Sequence, residues 1–238
     1  MTTPVTSINL TREEAAHRAR LLEVDHYDIA LDLTGDREFG SITTVSFTVR
    51  EAGSTFIDLR ATHVDGVYLD GQNIRREALT LDEDGYDDTY GIALTDLTPW
   101  RDALRGTATI PYSGTGEGLH RFVDPADNEV YLYSQFETAD AKRVFACFDQ
   151  PDLKATYDIA VTTPADWKVI SNGAQTTSVQ GERATHRSSI DYPLSTYLVA
   201  VCAGRFTEVT STWRGTLTHH PETPADQPTE LTVPMGLY

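Results

Sequence analysis

The sequence predicts an all-β protein, a multi-sheet β-sandwich with one short helix at its N-terminus. Three observations carry this. Apolar and polar residues alternate at period two over most of the chain, as at Tyr27, Ile29, Leu31 and Leu33 and again at Val45, Phe47 and Val49. Turn signals recur at short intervals: Gly35-Asp36, Asp70-Gly71, Asp84-Gly85, Ser171-Asn172-Gly173 and Gln180-Gly181. A helical start signal stands at one place, ahead of the first strand.

That signal is Thr11-Arg12-Glu13-Glu14, a capping box, and Ala15, Ala16, Ala19, Leu21 and Leu22 extend a helix to about Glu23, packed on the outside of the strands. Strands are predicted from Asp25 onward, a first pair separated by Gly35-Asp36, then at 55–59, 64–69, 90–94, 107–112, 130–133, 155–163, 167–171, 175–179, 184–188, 197–202 and 206–212. Two stretches break the rhythm. Residues 111–127, rich in Gly and Pro, read as an ordered loop over the sheet, and 138–153 as one helical turn followed by an irregular loop. The Pro- and acid-rich stretch 221–228 reads as a linker. After it, 231–238 reads as an apolar strand whose partner would lie beyond Tyr238. The expected organisation is a helix and arm over 1–22, an all-β domain over 23–212, and over 213–238 a linker with the first strand of a further domain.

The 238 residues carry 36 Asp and Glu against 19 Lys and Arg, a formal net charge of -17. Phosphate backbones and anionic membrane surfaces are bound through Lys and Arg, and here the cations are scattered, with Arg75-Arg76 and Lys142-Arg143 the longest strings. Nucleic acid and membrane are therefore not expected partners. Met1-Thr2-Thr3-Pro4 lacks the basic patch and apolar core of a secretory leader, and the apolar run 197–203 is far short of the ~20 residues that span a bilayer. The expectation is a cytoplasmic protein. Cys147 and Cys202 stand apart in apolar surroundings and read as buried free thiols.

No nucleophile elbow, P-loop, dinucleotide fingerprint or H-E-x-x-H occurs, and Pro221 spoils His219-His220-Pro221-Glu222 as a helical metal site. The informative stretch is 131–157. It opens as a strand that ends in Gln135 and Glu137, which period two places on one face. A carboxylate beside an amide can hold an ammonium group, one supplying charge and the other a carbonyl acceptor. Thr138 can cap the next turn, and Asp140 can pair with Arg143 at i, i+3. On the residues alone, a surface or structural role for Glu137 is the favoured reading.

The run Ser134-Gln135-Phe136-Glu137, Asp140-Ala141-Lys142-Arg143, Cys147-Phe148-Asp149-Gln150-Pro151 and Lys154-Ala155 resembles the signature of the N-terminal domain of aminopeptidase N-type zinc metallopeptidases. Gly118-Leu119-His120-Arg121 before it, and Ile170-Ser171-Asn172-Gly173, 192–200 and 234–238 after it, resemble further pieces of that family in order. The departures are Ser134 for Thr, Lys142 for Arg and Gln150 for Glu.

The resemblance implies a curved, saddle-like all-β domain packed on a thermolysin-like catalytic domain that carries the zinc. It implies that Glu137, with Gln135 beside it, binds the free α-amino group of a peptide substrate. It further implies that these residues hold no zinc ligand and no catalytic base. Zinc would then belong to the longer enzyme, the catalytic domain beyond Tyr238 would be the partner, and peptide N-termini the substrate. The chain alone is expected to be inactive. Two alternatives stand beside this reading: the epoxide hydrolase branch of the same superfamily, which shares the glutamate, and a standalone β-sandwich binding module using Trp100, Trp167 or Trp213.

Overall fold

A computed structural model describes residues 10–70, 72–73, 81–82, 85–86, 91–114, 116–213 and 229–235. The turn signals at Gly71 and Asp84, His219-His220 and the linker 221–228 lie outside the described residues. Helix α1 (Arg12–Leu21) forms on the capping box: Thr11 Oγ1 accepts from the Glu14 amide at 3.2 Å, and the Thr11 amide donates to Glu14 Oε2 at 2.8 Å. It stops at Leu21, and the chain passes directly into β1 (Leu22–Asp32).

After β1 come β2 (Glu38–Val49), β3 (Gly53–Ile57), β4 (His63–Leu69), β5 (Gln72–Asn73), β6 (Leu81–Asp82), β7 (Gly85–Tyr86), β8 (Ile92–Leu97) and β9 (Trp100–Pro111). The second half of the chain holds β10 (Gly118–Val123), β11 (Val130–Gln135), β12 (Ala155–Pro164), β13 (Lys168–Ser171), β14 (Gln175–Gln180), β15 (Arg183–Leu194), β16 (Val201–Gly204), β17 (Thr207–Trp213) and β18 (Thr229–Met235).

An eight-stranded sheet runs β14-β15-β12-β1-β2-β9-β4-β5, and a four-stranded sheet runs β10-β11-β16-β13. In the large sheet β1 and β12 are parallel and the other pairs antiparallel. A bulge between Val24 and His26 switches the phase of β1, so that Leu22 and Val24 are buried before it and Tyr27, Ile29 and Leu31 after it. Tyr27 and Tyr157 sit opposite each other on β1 and β12, fully buried and stacked at 5.2 Å. In the small sheet Leu119, Leu132, Val169, Val201 and Ala203 point into the core, while His120, Phe122, Tyr133 and Cys202 on the other face are half-buried.

The all-β multi-sheet architecture is the one the alternation predicts, and four details differ. Residues 111–127 are not one loop, because they contain β10, whose Leu119 faces the core and whose Phe122 faces out. The predicted strand 197–202 is a 3-10 turn (Thr196–Leu198) and then β16; Asn172 binds both Leu198 O and the Ala200 amide and turns the chain there. Of the cysteines, Cys147 is fully buried but Cys202 only half so, and both are free thiols. The strand read at the chain's end is β18, and it pairs antiparallel with β17 within the chain.

Candidate functional site

Strand β11 delivers the site. Gln135 is its last residue, backbone-paired opposite Gly118 of β10, and its side chain is exposed. Phe136 is then drawn into the core, 2% exposed, with its ring edge-on to Phe145. The strand ends there, so Glu137 stands in the turn beyond it rather than on the continued face of β11. Both side chains are exposed, and among the described residues the Glu137 carboxylate accepts no hydrogen bond and meets no cation. The next turn is not capped by Thr138. The N-cap of the 3-10 turn (Ala141–Arg143) is Asp140, whose amide donates to Phe136 O at 3.0 Å.

The predicted pair of Asp140 and Arg143 forms: Arg143 Nε donates to Asp140 Oδ1 at 2.6 Å. The same guanidinium reaches Glu117 Oε2 at 2.8 Å through Nη2. Sequence reasoning misses Glu117, because nothing local ties the segment before β10 to the segment after β11. Arg143 and Glu117 also line a cavity of about 450 Å³ together with Arg60, Tyr112 and Leu119.

Apart from the half-buried Arg143, the motif from Lys142 to Gln150 is buried scaffold. Asp58, just after β3, exchanges backbone hydrogen bonds with Cys147 (2.8 and 3.0 Å), and the Arg60 amide donates to Lys142 O. Asp58 Oδ2 accepts from Arg18 Nη1 at 2.8 Å and from the Asp149 amide at 3.0 Å. Asp149 in turn accepts from Thr196 Oγ1 at 2.8 Å and from the Lys142 amide at 3.1 Å. Gln150 Nε2 donates to Ala15 O, and the Phe148 amide to Tyr27 Oη. Burial pushes the Asp149 carboxyl up to about 6, against the pull of the hydrogen bonds from Thr196 and the Lys142 amide. Burial, reinforced by Asp149 and Asp58, also pushes the Cys147 thiol well up, which leaves it unreactive. The motif thus divides into an exposed tip, Gln135 and Glu137, and a buried root that holds the tip in place.

Among the described residues no group of three or more His, Cys, Asp or Glu is placed to hold a metal ion. Trp100 is 65% exposed, Trp167 is half-buried against the core, and the side chain of Trp213 lies outside what the structure describes. No helix among the described residues is long and apolar enough to cross a membrane.

A family model described as the peptidase M1 N-terminal domain matches residues 23–198. The chain is 53% identical over 168 residues to an aminopeptidase N of Streptomyces lividans, an alignment that covers 69% of this chain and 19% of that protein. It is 40% identical over 103 residues to a human glutamyl aminopeptidase, covering 41% of this chain and 11% of that protein. Among solved structures, an M1 zinc metallopeptidase variant from Deinococcus radiodurans superposes with a TM-score of 0.65 at 20% identity, over 90% of this chain and 47% of that one. The matched region thus spans less than a fifth of either of these two aminopeptidases, and about half of the solved chain.

Proposed function

The chain belongs to the family of peptidase M1 N-terminal domains, and from that premise we propose that it is the non-catalytic N-terminal domain of a zinc-dependent aminopeptidase, in which Glu137 anchors the substrate's α-amino group. The observation that carries this reading is an exposed carboxylate with no partner among the described residues, standing at the end of a strand on a buried scaffold. Zinc does not fit the described residues of this chain. We assign it to the catalytic part of the enzyme.

In this reading the chain's own residues recognise and position. The Glu137 carboxylate accepts hydrogen bonds from a peptide's terminal ammonium, and the Gln135 carbonyl supplies a second acceptor. The ammonium then marks the first residue, so the bond presented for cleavage is one residue from the chain end. An internal segment of a peptide offers no cation, and placing it here would strip water from Glu137 without replacing it. Of the aromatic residues a standalone binding face would use, Trp167 packs against the core and Trp100 is exposed.

The test is Glu137→Ala in the aminopeptidase that carries this domain. Loss of one charge-assisted contact to the ammonium lowers kcat/KM by roughly 10- to 100-fold while the far-UV spectrum and melting midpoint stay those of the parent. Parental kinetic constants in that variant remove Glu137 from the site. The 238-residue chain by itself is expected to release no p-nitroaniline from aminoacyl-p-nitroanilides, with or without added zinc.

A further inference from the structure

We propose that Arg143 is a positioning residue for this site: its guanidinium fastens the Glu137 turn to the segment before β10 and occupies the two neighbouring carboxylates, leaving Glu137 open to the substrate. This role presupposes Glu137 as the ammonium anchor.

The Glu137 turn has few fastenings of its own. Phe136 plugs it into the core at one end, and the Asp140 amide closes it on Phe136 O. At the other end the side-chain contact is Arg143, with Nε on Asp140 Oδ1 at 2.6 Å and Nη2 on Glu117 Oε2 at 2.8 Å. The Arg143 and Asp140 side chains are 31% and 23% exposed, so this arm is partly sheltered from screening; the Glu117 arm, at 54%, is more open. A planar fork with fixed donors holds two carboxylates in one geometry, which a lysine cannot do.

The stem of Arg143 is seated as well as its head. It crosses Gly118, where an added Cβ would lie 2.8 Å from Arg143 Cβ, and where φ of 70° also favours glycine. Gly118 is the residue directly opposite Gln135 in the β10–β11 ladder. One side chain thus touches both the turn that carries Glu137 and the strand position that faces Gln135. Three carboxylates, Glu117, Glu137 and Asp140, stand on these two segments, and Arg143 engages two of them. Without it, a substrate ammonium could pair with the wrong acid and present the wrong bond.

Hydrogen exchange on the 238-residue chain tests the brace, and kinetics of the aminopeptidase that carries it test the consequence. In Arg143→Met the hydrogen-bonded amides of the turn, Asp140 and Arg143, should exchange about fivefold faster or more, with the rest of the chain unchanged. Arg143→Lys should restore only part of the protection, and Glu117→Gln and Asp140→Asn should be non-additive with Arg143→Met. In the enzyme, Arg143→Met should lower kcat while KM rises less than in Glu137→Ala, because the ammonium still finds a carboxylate but in the wrong register. Unchanged exchange in the turn, or equal acceleration at every amide, overturns the proposal. If Arg143→Met does not fold, Asp140→Asn carries the same readouts. If the turn loosens in Arg143→Met but Glu137→Ala has parental kinetics, the brace stands and the anchor reading falls. If Glu137→Ala is impaired and the turn does not loosen, the anchor stands and the brace falls.

Discussion

Two carboxylates within one motif have opposite fates, and their surroundings decide which. Glu137 is in water with no partner among the described residues; Asp149 is 4% exposed and bound by Thr196 and the Lys142 amide. Burial raises the Asp149 carboxyl to about 6, so folding favours its neutral form. The sign comes from linkage. A carboxyl whose folded value lies above its unfolded one contributes stability below about pH 4, and that contribution is lost as pH rises through 6, by about 3 kcal/mol at most. Urea melts of the parent and of Asp149→Asn across pH 4 to 7 check this. The difference between their stabilities should change over that window and be flat above it; a difference constant throughout means that Asp149 titrates as an ordinary surface acid. The sequence shows both acids but not their burial, since each directly follows a phenylalanine and only the tertiary fold separates tip from root.

Helix α1 is more than a cover on the outside of the sheets. Arg18 is 1% exposed, donates to Asp58 Oδ2 and to Phe56 O, and lies 4.3 Å over the Phe56 ring. Asp58 also receives the Asp149 amide, so the helix, the end of β3 and the motif share one buried acid. Arg18→Met leaves Asp58 buried without its cation and should cost about 3–5 kcal/mol in urea unfolding, with much of the loss recovered in the Arg18→Met, Asp58→Asn pair. A loss under about 1 kcal/mol contradicts a buried, uncompensated charge. The start of this helix was legible because a capping box is local, whereas its buried arginine was not, because the partner acid lies 40 residues away. The same division runs through the strands. Long alternating runs such as β1, β2 and β12 were readable at period two. β10 was hidden in a Gly-rich stretch, and the turn before β16 is made by Asn172, a residue remote in sequence.

Across the molecule, the large sheet and the root of the motif form a scaffold, and what the scaffold presents is a small acidic tip at the end of the four-stranded sheet. A net charge of -17 would attract cationic chain ends in general, but a long-range field cannot tell one amine from another. In the reading proposed above, selection of a chain end rests on a short-range contact at Glu137, whose turn is held by Phe136 below and Arg143 beside it. The most direct test pairs peptides that differ only in an acetyl group on the terminal amine, assayed with the parent aminopeptidase and with Glu137→Gln, which keeps shape and removes charge. The account predicts that the parent cleaves the free amine and strongly rejects the acetylated peptide, and that Glu137→Gln lowers kcat/KM for the free amine by roughly 10- to 100-fold and so narrows the gap. A variant that cleaves the free amine as well as the parent does, with the same discrimination against the acetylated peptide, contradicts it.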